Sequence, residues 1–205
     1  MNELERNKPV IEFENLIADF YNAPYAVATD CCTNAMELSL RLEQSRGNNT
    51  AKCTKYTYVC VPNMLNKIKL DWHFTDEKWT GFYHLTDTTI DAAVFWKQGG
   101  YIPNTRMCLS FQYGKHLSSI RGGMILLDNK DDAELLRKMT YDGRVRNNLP
   151  FWEQEIDTVG YHYYMPPMLA KIGLENFDKV KDAPVKAKNW DWYRDVSKYP
   201  IFQKT

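Results

Sequence analysis

What this sequence lacks narrows its reading first. Its apolar runs are broken within a few residues, so nothing is long enough to cross a bilayer. The charged start, MNELERNKP, has no apolar signal core, and a cytoplasmic protein is expected. No CxxC pair occurs among the cysteines Cys31, Cys32, Cys53, Cys60 and Cys108, and the adjacent Cys31 and Cys32 do not have the spacing of zinc ligands. Reduced, mostly buried thiols and no metal site are expected. Net charge is also missing. Lys plus Arg and Asp plus Glu both number 26, which leaves no overall electrostatic footprint for nucleic acid. There is no internal repeat and no low-complexity linker.

What remains is an ordinary globular composition: 205 residues, 44% hydrophobic and 25% charged. That is enough for one domain with a substantial core. Aromatic residues make up 14%, a surplus that suits a ligand pocket or an interface, although core packing absorbs most of it.

Periodicity divides the chain. Ile11, Phe13, Leu16, Ile17 and Phe20 fall at helical spacing and predict a helix over Val10–Tyr21, ended by Asn22-Ala23-Pro24. Tyr25–Ala28 reads as a strand. Asn34–Leu42 reads as a helix, with Thr33 or Asp30 as its N-cap. Tyr56–Val61, dense in β-branched and aromatic residues, predicts a strand, and Pro62 opens a helix through Ile68. Further strands are expected at Leu70–Phe74, Phe82–Leu85, Thr89–Val94, Arg106–Phe111 and Met124–Leu127. Helices are expected at Asp131–Thr140 and Met168–Phe177. Residues 144–160 are polar and irregular. Residues 1–180 form the expected domain and 181–205 a short tail of little periodicity. Alternating strands and helices predict an α/β fold, a mainly parallel sheet with helices on both faces.

The chemistry concentrates in SFQYGKHLSSIRGG, Ser110–Gly123. A strand ends in a hydroxyl, Lys115 follows on a loop, and a Gly pair precedes the next strand. A lysine on a loop is usually a solvated charge. It becomes an amine nucleophile where burial or a neighbouring cation lowers its pKa.

Five stretches, in order, resemble the DegT/StrS family of sugar aminotransferases, fold-type I enzymes that use pyridoxal phosphate (PLP). VATDCCTNAMELSLRL resembles the family's strand–SGT–helix phosphate turn, with Cys31, Cys32 and Thr33 at the S, G and T positions. YTYVCVPN resembles its FTFVATAN segment, and Ile90-Asp91-Ala92-Ala93 its E-D-A-A. SFQYGKHLSSIRGGMILLDN resembles its serine–lysine–Gly-Gly loop, and GYHYYMPPMLAKIGL its GYNxRMxxxxAAIGL.

The resemblance implies the large domain of a fold-type I enzyme with most of the small C-terminal domain missing. It implies PLP linked to Lys115, which is also the general base. Asp91, rather than nearby Asp87, pairs with the pyridine nitrogen. Cys32, Thr33 and Asn34 offer N–H groups to the phosphate, Ser110 adds a hydroxyl, and Tyr56 stacks on the ring. His162, at the position of the family's Asn, reaches a neighbouring subunit's phosphate. Val94, Arg121 and Tyr164 also depart from the family pattern.

The implied reaction moves an amino group from an amino acid, such as glutamate, to a keto group, such as that of a nucleotide-linked sugar. The implied assembly is a homodimer or larger oligomer whose Tyr161–Met165 loop completes the partner's site. Two alternatives stand beside it. One is another PLP reaction, such as decarboxylation or modification of a nucleotide or nucleic acid. The other is a non-catalytic relative that kept the fold.

Overall fold

A computed structural model describes residues 2–185 and 188–203. The first helix, α1 (Glu3–Tyr21), starts earlier than its apolar stripe because Asn2 and Glu5 form a reciprocal capping box, and it stops where Asn22 turns left-handed at φ 59°. There follow β1 (Tyr25–Thr29), α2 (Cys32–Ser45), β2 (Thr50–Thr54), α3 (Cys60–Lys67) and β3 (Asp71–Thr75). The remaining elements are β4 (Tyr83–His84), β5 (Thr89–Asp91), β6 (Arg106–Ser110), β7 (Gly123–Leu127), α4 (Lys130–Thr140) and α5 (Pro167–Val180). No helix among the described residues is long and apolar enough to cross a membrane.

The fold is α/β with helices on both faces, but the expected mainly parallel sheet is not what forms. The main sheet has the order β1-β7-β6-β5-β4, and only β5 and β6 run parallel within it. β1–β7, β6–β7 and β4–β5 are antiparallel. A separate parallel pair joins β2 to β3. Parallel neighbours need a crossover of a dozen or more residues, usually through a helix. The links from β4 to β5 and from β6 to β7 turn back as hairpins, whereas the helix-free stretch 92–105 carries the chain across to β6 in the parallel sense.

Alternation along β7 builds the core. Ile125 and Leu127 face α2, α3 and α4, while Met124 and Leu126 face α1 and α5. On the second face Phe13, Ile17 and Tyr21 of α1 pack with Ala170 and Phe177 of α5. The expected strand over Tyr56–Val61 does not form. The strand lies upstream at β2, and Cys60 already opens α3, with Pro62 inside the first turn where its missing N–H is not needed. Thr33 and Asp30 do not cap α2 either. Cys31 occupies the cap position without a side-chain bond.

Candidate functional site

The turn between β1 and α2 is held from several sides. Asp30 N donates to the Tyr163 carbonyl at 2.8 Å. The Asp30 carboxylate accepts from Asn34 Nδ2 at 2.6 Å and from Arg121 Nη2 at 2.8 Å. Because Cys31 caps without a side-chain oxygen, the first-turn N–H groups of Cys32 and Thr33 have no acceptor among the described residues. Free amides and the helix dipole make such a terminus attractive to an anion. Gly123, at the start of β7, runs directly beneath. A Cβ there would sit 2.5 Å from Cys32 N and closer still to the Cys31 carbonyl carbon, so only glycine lets the strand pass under the turn.

Asp91 closes β5. In the β4–β5 hairpin it pairs in register with Tyr83, which puts both side chains on one face of the sheet. The Tyr83 hydroxyl donates to Asp91 Oδ2 at 2.5 Å, and Ala93 N donates to Oδ1 at 3.0 Å. Thr57 Oγ1 lies 2.5 Å from the same hydroxyl. Burial raises the Asp91 carboxyl above the ordinary aspartate range, and these neutral donors and the charge of Lys115 only partly offset it. The same burial, with the carboxylate beside it, drives the Tyr83 phenol far up. Asp87 lies exposed in the hairpin turn, away from this cluster.

Lys115 stands on the loop from β6 to β7. Gly114 takes φ 83° just before it, and Lys115 N donates back to the Gln112 carbonyl at 3.0 Å. Buried Leu117 pins the loop to the core, and His116 Nε2 lies 2.8 Å from the Val180 carbonyl of α5. A fixed hairpin loop thus carries the amine back over the sheet towards Asp91.

These pieces meet in one cavity of about 270 Å³. Its lining includes Cys32, Thr33, Asp91, Ser110 and Lys115, so five of the eight residues expected from sequence converge there. Asn34 lies one position along α2, with its amide on Asp30. Tyr56 does not line the cavity. Its ring packs against Trp190 at 4.9 Å, and its carbonyl accepts from Trp79 Nε1 at 2.7 Å. His162 is exposed, with Nδ1 3.1 Å from Asp142 Oδ2, and is not part of this wall. Tyr161 and Tyr163 stack at 5.4 Å, and Tyr163 meets Glu37 of α2 and Lys67 at the end of α3.

The structure adds residues that the motifs did not single out. Tyr58, Thr57, Trp79, Tyr83, Arg121 and Tyr193 line the same cavity. Tyr58 stands two positions from Tyr56 in the same aromatic segment, so the segment was visible but its side-chain directions were not. Tyr83 followed from hairpin register. Nothing local marks Tyr193.

Comparison with known proteins gives a consistent picture. The sequence model of the DegT/DnrJ/EryC1/StrS aminotransferase family matches residues 2–103 and 97–196. An uncharacterized protein of Methanocaldococcus jannaschii is 20% identical over 222 residues, covering 83% of this chain and 57% of that protein. AtS13 from Actinomadura melliaura superposes with a TM-score of 0.77 at 18% identity, over 86% of this chain and 61% of that one. The sugar aminotransferase CalS13 from Micromonospora echinospora gives 0.72 at 15%, over 85% and 61%. The PLP form of Spr1654 from Streptococcus pneumoniae gives 0.68 at 15%, over 84% and 59%. At these identities the structural likeness speaks to fold, and the chain spans only about three-fifths of the proteins it matches.

Proposed function

The chain belongs to the DegT/DnrJ/EryC1/StrS aminotransferase family, and on that premise we propose that it is a PLP-dependent aminotransferase acting on small molecules. The observation that carries the proposal is the meeting of Asp91, at the end of β5, and Lys115, on the β6–β7 loop, in one cavity at the open N-terminus of α2. Each part of the cavity fits a part of the cofactor. A buried carboxylate with only neutral hydrogen-bond donors suits a cationic ring N–H. A helix terminus with free amides suits a phosphate, and a primary amine suits an aldehyde.

When bound, PLP supplies an electron sink for breaking a bond at an amino-acid Cα. The residues divide the remaining work. Cys32, Thr33 and Asn34 N–H groups and the Ser110 hydroxyl would hold the phosphate. Asp91 keeps a proton on the pyridine nitrogen. Lys115 Nζ would form the covalent link to the cofactor and, when free, would serve as the general base that moves the proton. The amino donor in this reading is an amino acid such as glutamate, and the acceptor a keto group such as that of a nucleotide-linked sugar.

A second copy of the chain completes the site in this reading, with His162 and the Tyr161–Met165 loop facing the partner's phosphate. The exposure of His162, and of Phe151 and Trp152 upstream, supports that arrangement.

Borohydride reduction of the protein loaded with PLP, followed by peptide mass mapping, tests the proposal. A pyridoxyl label on Lys115, lost in Lys115→Ala, is the expected result. No label, or one on Lys97 or Lys130, overturns it.

A further inference from the structure

We propose that residues 188–203 form a strap that walls the cavity, and that Tyr193 on it donates its phenol proton in a hydrogen bond to an acceptor oxygen of the group bound there. The inference rests on the PLP reading above and names a contact that its motifs do not contain.

The strap has little regular structure, only short 3-10 turns at Trp190–Trp192, Val196–Lys198 and Pro200–Phe202. It is nonetheless tied down at both ends of its path. Gly81 N donates to the Lys188 carbonyl at 3.0 Å, and Trp190 N to the Trp79 carbonyl at 3.1 Å. Further along, Val196 N donates to the Lys55 carbonyl at 2.9 Å, and Asp195 bridges to Tyr56. Side chains reinforce the backbone. Trp190 meets the Tyr56 ring, with the Lys78 ammonium 4.6 Å from the centre of the indole. Val196 and Phe202 are buried, the latter beside Phe74. Both anchored stretches flank the cavity, whose rim includes Thr57, Tyr58, Trp79 and Gly81.

Between the anchors Tyr193 turns inward. Its ring packs on Trp79 at 5.5 Å and lines the cavity together with Cys32, Cys60 and Asp91. The residue is half-buried, and its hydroxyl makes no hydrogen bond among the described residues, so it is free to meet a group bound in the cavity. Burial, followed by the negative charge of Asp91, pushes this phenol up to about 12, so it is a donor throughout the neutral range. Val94 lines the same cavity and offers no polar group. The phenolic oxygen of the bound cofactor would give the Tyr193 proton its acceptor.

The test compares PLP binding by the full-length wild type and Tyr193→Phe. The measurements are the dissociation constant, the pH midpoint of the bound cofactor's visible band, and hydrogen exchange of residues 190–196 with and without PLP. Loss of one hydrogen bond predicts about a tenfold weaker affinity. It also predicts a moved pH midpoint, which a purely structural tyrosine would leave in place. In the wild type, PLP is expected to slow exchange along the strap. If the wild type takes PLP on Lys115 while Tyr193→Phe matches it in affinity and midpoint, the inference is wrong and the proposed function stands. Exchange at 190–196 that ignores PLP overturns the strap in the same way. A wild type that takes no PLP removes the proposed function, and the inference with it.

Discussion

Glu43 and Asp91 are both carboxylates buried against β5, one at each end of the strand, and the chain treats them in opposite ways. Glu43 Oε1 accepts from the hydroxyls of Thr86, Thr88 and Thr89 at 2.8, 2.8 and 2.6 Å and from Arg106 Nη2 at 2.7 Å, while Oε2 takes Asn48 Nδ2 at 2.6 Å. Burial pushes its pKa up, but these donors outweigh it and hold the carboxyl below the usual range. Asp91 receives two neutral donors, and burial wins. At the Glu43 end the chain has compensated its own charge. At the Asp91 end compensation is left partly open, facing a cavity. Full partnering suits Glu43 to a role in the architecture, and partial partnering beside a cavity is what the proposed cofactor role of Asp91 calls for.

The largest expected effect that tests this contrast is at the satisfied end. Glu43→Gln keeps the shape but leaves Arg106 short of its main counter-charge, and breaking such a pair costs about 3 kcal/mol of stability. Chemical denaturation should show that loss, with PLP uptake per folded molecule unchanged. If instead stability holds and PLP uptake falls, the two ends have been assigned the wrong way round.

Asp91→Asn should behave in reverse. Its amide can still accept from Ala93 N–H and donate to the Tyr83 hydroxyl, so the apo protein should unfold at the same temperature or higher. Turnover should fall by roughly ten- to a hundredfold, the worth of a charge-assisted hydrogen bond of about 1.5–3 kcal/mol. A lower melting temperature with normal turnover would make Asp91 a structural residue.

The smallest effect is on pH dependence. A depressed Glu43 contributes stability that is present above the ordinary carboxylate range and is lost as pH falls through its folded value. A raised Asp91 works the other way, costing the apo fold stability as pH climbs from the ordinary aspartate value through the raised one. Unfolding free energies across acid pH should therefore lose opposite components in Glu43→Gln and Asp91→Asn. Parallel curves for the two variants would erase the distinction.

Much of this was legible in the sequence, for identifiable reasons. The helices and most strands carry their own periodicity, though α2, α3 and α5 start without a side-chain cap, and Lys115, Asp91, Ser110, Cys32 and Thr33 sit in motifs that line one cavity. Strand direction was not legible, because alternation of strands and helices does not say which helix-free links turn back and which cross over. The Tyr56–Val61 segment misled because β-branched and aromatic residues also suit a loop that packs under a strap, where Tyr56 meets Trp190. Tyr193 was invisible for a related reason. Its neighbours Trp79 and Asp91 lie far upstream, and a segment held by tertiary bonds needs no periodicity of its own.

The pairing of β1 with β7 bears on how the molecule comes to exist. Thr29, which leads into the helix terminus, is partnered by Gly123, which follows the Lys115 loop. Among the described residues β7 is the strand partner of β1, so the first strand made stays without one until the last has been made. Closing so long a stretch of chain is costly in entropy and slow compared with local folding. A fragment that ends before β7 therefore leaves β1 without its strand partner and the turn at Cys31–Cys32 without the Gly123 backbone beneath it.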